Sequence, residues 1–457
     1  MYSWIARNIL SPIFDLSRGT NVMKCLSQFE ESQWWPRERL IELQSQRFRK
    51  LITHVYANVP YYRQIFKDRS LKPGDIGCGA DLIRLPVLTK QLVRENFDSL
   101  IAGNISIGHM AKNYTSGSTG EPLMFYSTKE VMRTRSYAAA LRAFSWSGYE
   151  TGDRCVYIGQ KHEFNTNLEK IAGKAKYFFR RIMPVDVQSI SKGEIPLVIK
   201  KLEGFKPDFI RGYPSAVYLL ASFMEKERRK LRLRAITTFS EQVEDYHREL
   251  FRKVFSCEVY SLYSAFEAPN IAAECSSHSG YHITAENTIL EIVDNSGKAV
   301  PPGEEGRILV TNLNNYAMPF IRYDIGDLGV MSDQICSCGR GLPILLKLNG
   351  RVSDFIFTKG GRRVAGLALY SIFCRFEGIV QWQIFQESYE KLTVKLVLDK
   401  VYPQIYVDQI SSKIISYFKP ILGDDIDITI KFVDQIPLTK AGKRKFVISK
   451  VPVNEVM

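Results

Sequence analysis

The stretch Tyr114-Thr115-Ser116-Gly117-Ser118-Thr119-Gly120-Glu121-Pro122 sets two glycines among hydroxyl residues and closes on a proline. Glycine lets the backbone approach a ligand closely and turn its N–H groups inward, and serine and threonine add hydroxyl donors. The composition suits a polyphosphate. It is not a P-loop, because no Gly-Lys-Ser/Thr follows. Alone, the same residues also fit a flexible surface loop, so the reading turns on what surrounds them.

From Asn113 to Asp333, short β-type runs alternate with helical stretches. The runs include Arg154–Ile158, Phe209-Ile210, Ala235–Phe239 and Glu258–Tyr260, and the alternation is that of an α/β domain. Ile289–Val293 and Arg307–Thr311 read as strands around the turn residues Asn295-Ser296-Gly297 and Pro301-Pro302-Gly303. Upstream, Leu40, Leu43, Phe48, Leu51, Ile52 and Val55 recur at helical spacing and predict an amphipathic helix over Arg37–Tyr56, stopped by Asn58-Val59-Pro60. After Gly350 the pattern changes. Lys391–Leu398 and Asp425–Ile430 alternate strictly, as half-buried strands do, and a helical stretch near Tyr406–Phe418 lies between them. The expected architecture is α/β: a large N-terminal domain over 1–350, opening with a helical segment over about 1–70, and a small α+β domain over 351–457.

The chain has 457 residues, 45% of them hydrophobic and 24% charged, and a net charge of +14. That is an ordinary globular composition. The basic excess fits nucleic acid, an anionic membrane surface, or an enzyme that handles anionic ligands. The last is preferred and nucleic acid is not expected, because no nucleic-acid module and no long Lys/Arg run is present. The eight cysteines are scattered except for Cys336-Ser337-Cys338, which argues for a reducing, cytoplasmic setting. Trp4, Ile5, Ile9, Leu10, Ile13 and Phe14 make the first residues apolar, but Asn8, Ser11, Pro12 and Asp15 interrupt them. The segment is too short and broken to span a bilayer; it reads as a helix packed on the body or as a peripheral membrane contact.

Tyr114–Pro122 resembles the phosphate loop of the adenylate-forming superfamily, the acyl-CoA synthetases and their relatives. Further stretches resemble that superfamily in the same order: Tyr263-Ser264-Ala265-Phe266-Glu267, Ile321–Asp327, Gly350-Arg351, Lys359–Val364 and Pro437-Leu438-Thr439-Lys440-Ala441-Gly442-Lys443. Leu51–Phe66, with Asn58-Val59-Pro60-Tyr61-Tyr62-Arg63, is similar to the phenylacetate–CoA ligase branch, and within it to the CapK-like capsular polysaccharide biosynthesis proteins. The resemblance implies a multi-sheet adenylation domain and a small mobile C-terminal domain that pivots near Gly350–Asp354. It implies ATP and Mg²⁺, a carboxylic acid substrate and an acyl acceptor, either CoA or a polysaccharide precursor.

By the same resemblance, Thr115, Ser116, Gly117, Ser118, Thr119 and Gly120 would hold the ATP phosphates and Glu267 would help hold Mg²⁺. Ser240, Glu241 and Tyr263 would line the nucleotide pocket, Asp327 would accept the ribose hydroxyls, Arg351 would contact ribose or phosphates, and Lys443 would reach the α-phosphate and the attacked carboxylate. Three positions depart from the pattern. Leu123 stands where a lysine commonly follows the loop, Ser264 and Phe266 replace a glycine and a threonine, and Ser353 takes the usual hinge aspartate position. A non-catalytic nucleotide-binding or scaffold protein that retained the fold is the competing reading.

Cys336-x-Cys338-Gly339 is compact and turn-like, with Cys275, His278 and His282 upstream. Thiolates and one imidazole suit a closed structural zinc site, assigned to Cys275, His282, Cys336 and Cys338 with His278 as the alternative fourth ligand. Arg211-Gly212-Tyr213-Pro214-Ser215 follows a strand and is expected near the acyl pocket, where Tyr213, Tyr260 and Tyr263 would suit an aryl acid or simply pack the core.

Overall fold

The computed structural model describes the chain except residues 1, 116–122, 129–133, 160–172, 176, 192–193, 352–354, 361, 366–368, 374–375, 377, 399–401, 438–444 and 452–457. The candidate phosphate-binding residues Ser116–Gly120 and the candidate Lys443 therefore lie outside the described residues, as does Ser353. Two compact units divide the rest: a larger one built from residues up to Leu348, and a smaller one from Asn349 onward together with Gly326–Leu328.

An eleven-stranded sheet organises the larger unit. Its parallel part places Ile182–Asp186, Cys155–Gly159, Phe209–Gly212, Ala235–Phe239 and Glu258–Tyr263 side by side. Parallel neighbours need crossovers, and helices Ile195–Phe205, Pro214–Lys226 and Asp245–Phe255 supply three of them. Strands covered on both faces read as continuous apolar runs, which is why Cys155–Ile158, Phe209-Ile210 and Ala235-Ile236 stand out in the sequence. Beyond Glu258–Tyr263 the sheet turns antiparallel, through Ala272–Glu274 and Tyr281–Ile283 to Ile344–Arg351. It continues through Tyr323–Ser332 to the hairpin of Glu305–Asn312 and Thr288–Val293.

Helix Arg37–Asn58 buries Leu40, Phe48, Leu51, Ile52 and Val55 on one face. Val59 is extended, as a residue before proline prefers, and Pro60 opens the next helix, Pro60–Asp68, at its first position. The proline thus ends one helix and starts another. The chain's first described residues form one helical run, Tyr2–Ile5, a π turn over Ala6–Leu10, and Ser11–Arg18. It packs on the body through Ala6 and Ser11. Gly152, at φ 101°, lets it lie close, since a Cβ there would come within 2.8 Å of Ala6 Cβ.

The smaller unit holds a four-stranded sheet ordered Asp427–Phe432, Lys391–Leu398, Ile379–Ser388, Val447–Ser449. The central pair is antiparallel and both flanking pairs are parallel. Helix Gln404–Leu422 brings Ile410, Ile414, Phe418 and Leu422 into its core. The outer strand lies two residues later than the alternation at Asp425–Ile430 suggests, because its pairing begins at Lys391↔Asp427 and Asp425 belongs to the preceding turn. Among the described residues, no helix is long and apolar enough to cross a membrane.

Candidate active site and metal-ligating cluster

In open α/β sheets, ligands collect beyond the carboxyl ends of the parallel strands. Three adjacent strand ends lead directly into expected site residues. Phe209–Gly212 runs into Tyr213, Ala235–Phe239 into Ser240 and Glu241, and Glu258–Tyr263 into Ser264–Glu267. The pairings Gly212↔Thr238 and Phe239↔Leu262 hold these turns side by side. Ser240 sits at φ 71°, a left-handed conformation that costs a non-glycine residue about 1–3 kcal/mol and concentrates at functional sites.

The Glu241 carboxylate accepts from the Ser215 N–H (2.9 Å) and the Ser215 hydroxyl (3.0 Å). It thereby caps helix Pro214–Lys226 at its positive end and ties the Tyr213 turn to the Ser240 turn. Phe239 stacks on Tyr157 (6.0 Å between centroids) and meets Tyr213 edge-on (5.4 Å). Burial holds the Tyr213 hydroxyl well above its ordinary range. Tyr260, grouped with Tyr213 on sequence, packs against His278 at 4.9 Å.

Glu267 lies within a tight loop in which the Asn270 N–H donates to Ser264 Oγ (3.0 Å). Its carbonyl accepts from Asn312 Nδ2 (2.9 Å), and its Oε1 accepts from the Tyr323 hydroxyl (3.1 Å). The side chain is half-buried, so the carboxylate is both oriented and reachable. Thr115 is buried at the neck of the hairpin formed by Met110–Tyr114 and Met124–Thr128. Its N–H donates to the Leu123 carbonyl (2.9 Å) and its Oγ1 accepts from the Leu123 N–H (3.0 Å), clamping the two ends of the glycine and hydroxyl segment. Asp327 lies buried within strand Tyr323–Ser332. Arg351 ends strand Ile344–Arg351, with its side chain outside the described residues.

The structure brings Cys275, His282, Cys336 and Cys338 together, with their ligand atoms all within 4.8 Å of one another. Cys275 follows strand Ala272–Glu274, His282 lies in the neighbouring strand Tyr281–Ile283, and the two other cysteines sit on the turn before Ile344. Gly339 makes that turn, at φ 81°, with its N–H on the Cys336 carbonyl (3.0 Å). The Cys275 and Cys336 sulfurs are 3.7 Å apart, and Cys338 Sγ is 3.2 Å from His282 Nε2. A tetrahedral ion with bonds of about 2.3 Å to sulfur and 2.0–2.1 Å to nitrogen sets ligand edges of roughly 3.5–3.8 Å, so the donor set and spacing fit zinc. Burial pushes the His282 imidazole down to about 4, keeping the neutral ligating form. Burial opposes ionisation of Cys336, but hydrogen bonds led by the Ser279 hydroxyl outweigh it and hold that thiol below its ordinary range, while burial holds the neighbouring Cys275 thiol above its own. His278 is not in the cluster; its Nδ1 faces Glu274 Oε2 at 3.7 Å.

Sequence reasoning missed the groups that hold Glu267, because Asn312 and Tyr323 lie 45 and 56 residues away along the chain. It also missed the role of Arg322 within Ile321–Asp327. This buried arginine ties Glu291 (3.0 Å) to the Leu85 and Gly297 carbonyls and is scaffold rather than site.

Residues 356–450 match the family model of the CapK C-terminal domain. The chain is 26% identical over 424 residues to Protein CapK of Staphylococcus aureus, covering 90% of each. It is 24% identical over 446 residues to phenylacetate-coenzyme A ligase of Thermus thermophilus, covering 92% of this chain and 98% of that one. Among solved structures it is similar to 2-hydroxyisobutyryl-CoA ligase, with a TM-score of 0.71 at 17% identity and 92% of each chain covered. The chain is a homologue of Protein CapK and the phenylacetate-coenzyme A ligases, built on the adenylate-forming CoA ligase fold and carrying a CapK C-terminal domain.

Proposed function

We propose that the protein is an AMP-forming acid ligase that activates a carboxylic acid with ATP and passes the acyl group to CoA. The carrying observation is the run of Tyr213, Ser240–Glu241 and Tyr263–Glu267 along three neighbouring strand ends of a sheet with this ligase fold. In the first half-reaction a carboxylate oxygen attacks the α-phosphorus, the bond to the β-phosphate oxygen breaks, and pyrophosphate leaves. Two anions must meet, so catalysis rests on cations and aligned donors. Thr115–Gly120 would hold the β- and γ-phosphates, and Glu267 would hold Mg²⁺ beside them. Asp327 would accept the ribose hydroxyls, Arg351 would contact the ribose or phosphates, and Lys443 would neutralise charge at the α-phosphate. In the second half-reaction the thiol sulfur of CoA attacks the acyl carbon, the bond from that carbon to the phosphate oxygen breaks, AMP leaves and the thiol proton passes to solvent. The aromatic group Tyr157, Tyr213 and Phe239 favours an aryl acid.

Similarity to Protein CapK favours a place in surface polysaccharide synthesis, where the acceptor would be a sugar amine or hydroxyl. The free cysteines suit a cytoplasmic setting. The test is pyrophosphate–ATP exchange with Mg²⁺ across a panel of aryl and aliphatic acids. Exchange with at least one acid is expected, lost in Lys443→Ala while that variant stays folded. ATP binding without exchange for any acid would favour a scaffold that kept the fold.

Cys275, His282, Cys336 and Cys338 would hold a structural zinc ion, because four protein ligands leave no open position for a substrate. They join the hairpin Ala272–Ile283 to the turn before Ile344, across more than fifty residues of chain. Purified protein should carry one zinc per chain by elemental analysis. Removing it with a strong chelator should lower the melting temperature by several degrees, and adding zinc should restore it. Metal-free protein with an unchanged melting curve would contradict the assignment.

A further inference from the structure

The helical run Tyr2–Arg18 buries Ala6 and Ser11 but leaves Trp4, Ile9, Ile13 and Leu16 exposed at 64, 44, 57 and 86%. The π turn over Ala6–Leu10 sets this face. Its wider i→i+5 spacing brings Trp4 onto the same side as the later residues, which follow at the i, i+4, i+7 spacing of an ordinary helix stripe. Beside the run, Phe178 and Phe179 are exposed at 77 and 42%. The Phe14 ring meets Phe179 at 6.4 Å, and the Tyr2 hydroxyl donates to the Phe179 carbonyl (2.6 Å), so the two segments lie side by side.

Charge accompanies this apolar face. Lys174-Ala175-Lys176-Tyr177-Phe178-Phe179-Arg180-Arg181 carries four cations and no acid. Arg180 lies over the Phe14 ring (5.7 Å) and Arg181 over the Tyr2 ring (5.0 Å). The neighbouring acids are engaged within the protein: Glu30 pairs with Arg7, and Asp15 accepts from the Thr20 hydroxyl (2.6 Å) and the Met23 N–H (2.9 Å). Exposed tryptophan, isoleucine, leucine and phenylalanine rimmed by lysine and arginine match the boundary between lipid headgroups and acyl chains. A second copy fits less well, because an isologous contact would set this cationic segment against itself.

We propose that this surface docks the protein on an anionic lipid bilayer. Trp4, Ile13, Leu16 and Phe178 enter the headgroup–acyl boundary, and the exposed Lys174 and Arg181 meet the lipid phosphates, while Arg180 is held by the Tyr137 hydroxyl (2.6 Å). The partner is a membrane surface rather than a spanning position, since no described helix is long and apolar enough to cross one.

Co-sedimentation of the full chain with vesicles tests this. Binding is expected to phosphatidylcholine vesicles containing phosphatidylglycerol, weakening as salt is raised, and not to phosphatidylcholine alone. Trp4→Ser/Leu16→Ser/Phe178→Ser should cut binding by about tenfold or more, and Lys174→Ser/Arg181→Ser by a similar factor. All five side chains are exposed, so melting curves should stay at the wild-type position. Pyrophosphate exchange without lipid should also be unchanged, which separates this proposal from acid activation. Absence of binding to the anionic vesicles, or equal binding by the wild type and both variants, overturns it. So does a dimer in sedimentation velocity that the triple variant dissociates without any vesicle binding.

Discussion

Glu267→Gln should lower acid-dependent pyrophosphate exchange by about 10²–10³-fold, the usual size of losing one fixed charge-stabilising group. The substitution is nearly isosteric. An amide oxygen still accepts from the Tyr323 hydroxyl, and the Asn312 contact is to the backbone carbonyl, so the loop keeps its shape. What disappears is the negative charge that would hold Mg²⁺ against the phosphates. The defect should therefore move with the metal: the variant needs a higher Mg²⁺ concentration for half-maximal exchange, while its melting temperature stays put. Tyr323→Phe should show a smaller loss of the same kind, because it removes one hydrogen bond to the carboxylate without neutralising it. An unchanged Mg²⁺ requirement in Glu267→Gln would remove this residue from metal binding.

Arg142→Met should destabilise the larger unit by about 3–5 kcal/mol, the cost of stranding one partner of a buried ion pair. Arg142 and Glu286 are each 1% exposed, with Nη1–Oε1 at 2.5 Å and Nη2–Oε2 at 3.2 Å. Ser32 donates to the same carboxylate (2.5 Å) and Arg142 also donates to the Phe29 carbonyl (3.1 Å). The network pins helix Val22–Ser32 and helix Ser136–Ser145 to the segment just before strand Thr288–Val293. Burial opposes ionisation of Glu286, yet Arg142 outweighs it and holds the carboxyl below its ordinary range. In the wild type this stabilisation is present at neutral pH and lost as pH falls through the folded value. In Arg142→Met the carboxyl loses its cation and its pKa rises, so the penalty is largest at neutral pH and shrinks on acidification. Urea unfolding at neutral and mildly acidic pH reads both slopes. Arg142→Met/Glu286→Met should recover most of the loss, since a buried pair replaced as a whole is near neutral.

Local physics made much of the fold legible. The inward face of Arg37–Asn58, the buried parallel strands and the alternation of Lys391–Leu398 each follow from which side of an element meets water. Candidate nucleotide-site residues were named as positions in the chain through the resemblance to the adenylate-forming superfamily, and the metal-ligating candidates through their thiols and imidazoles. Their orientation was not legible. The Tyr323 hydroxyl that aims Glu267, and the Arg142 that neutralises Glu286, come from far along the chain, and no local pattern encodes such pairings. The π turn at Ala6–Leu10 was hidden for a different reason: one wide turn shifts the phase of a helix without changing its composition. Cys275 and His282 sit close in sequence to each other but over fifty residues from Cys336 and Cys338, and thiol chemistry rather than periodicity linked them.

The small sheet also sets an order of events during synthesis. Strand Ile379–Ser388 gains Lys391–Leu398 across a tight turn as soon as both have left the ribosome. Its other edge is closed only when Ile384 meets Val447, after the helix Gln404–Leu422 and the strand Asp427–Phe432 have been made. Until then a row of unpaired amides and carbonyls is open to any passing chain. The strand that finally covers it, Val447–Ser449, is three residues long. A trimmed or stalled nascent chain that lacks those three residues would lose the buried Val447 and, with it, its guard against association.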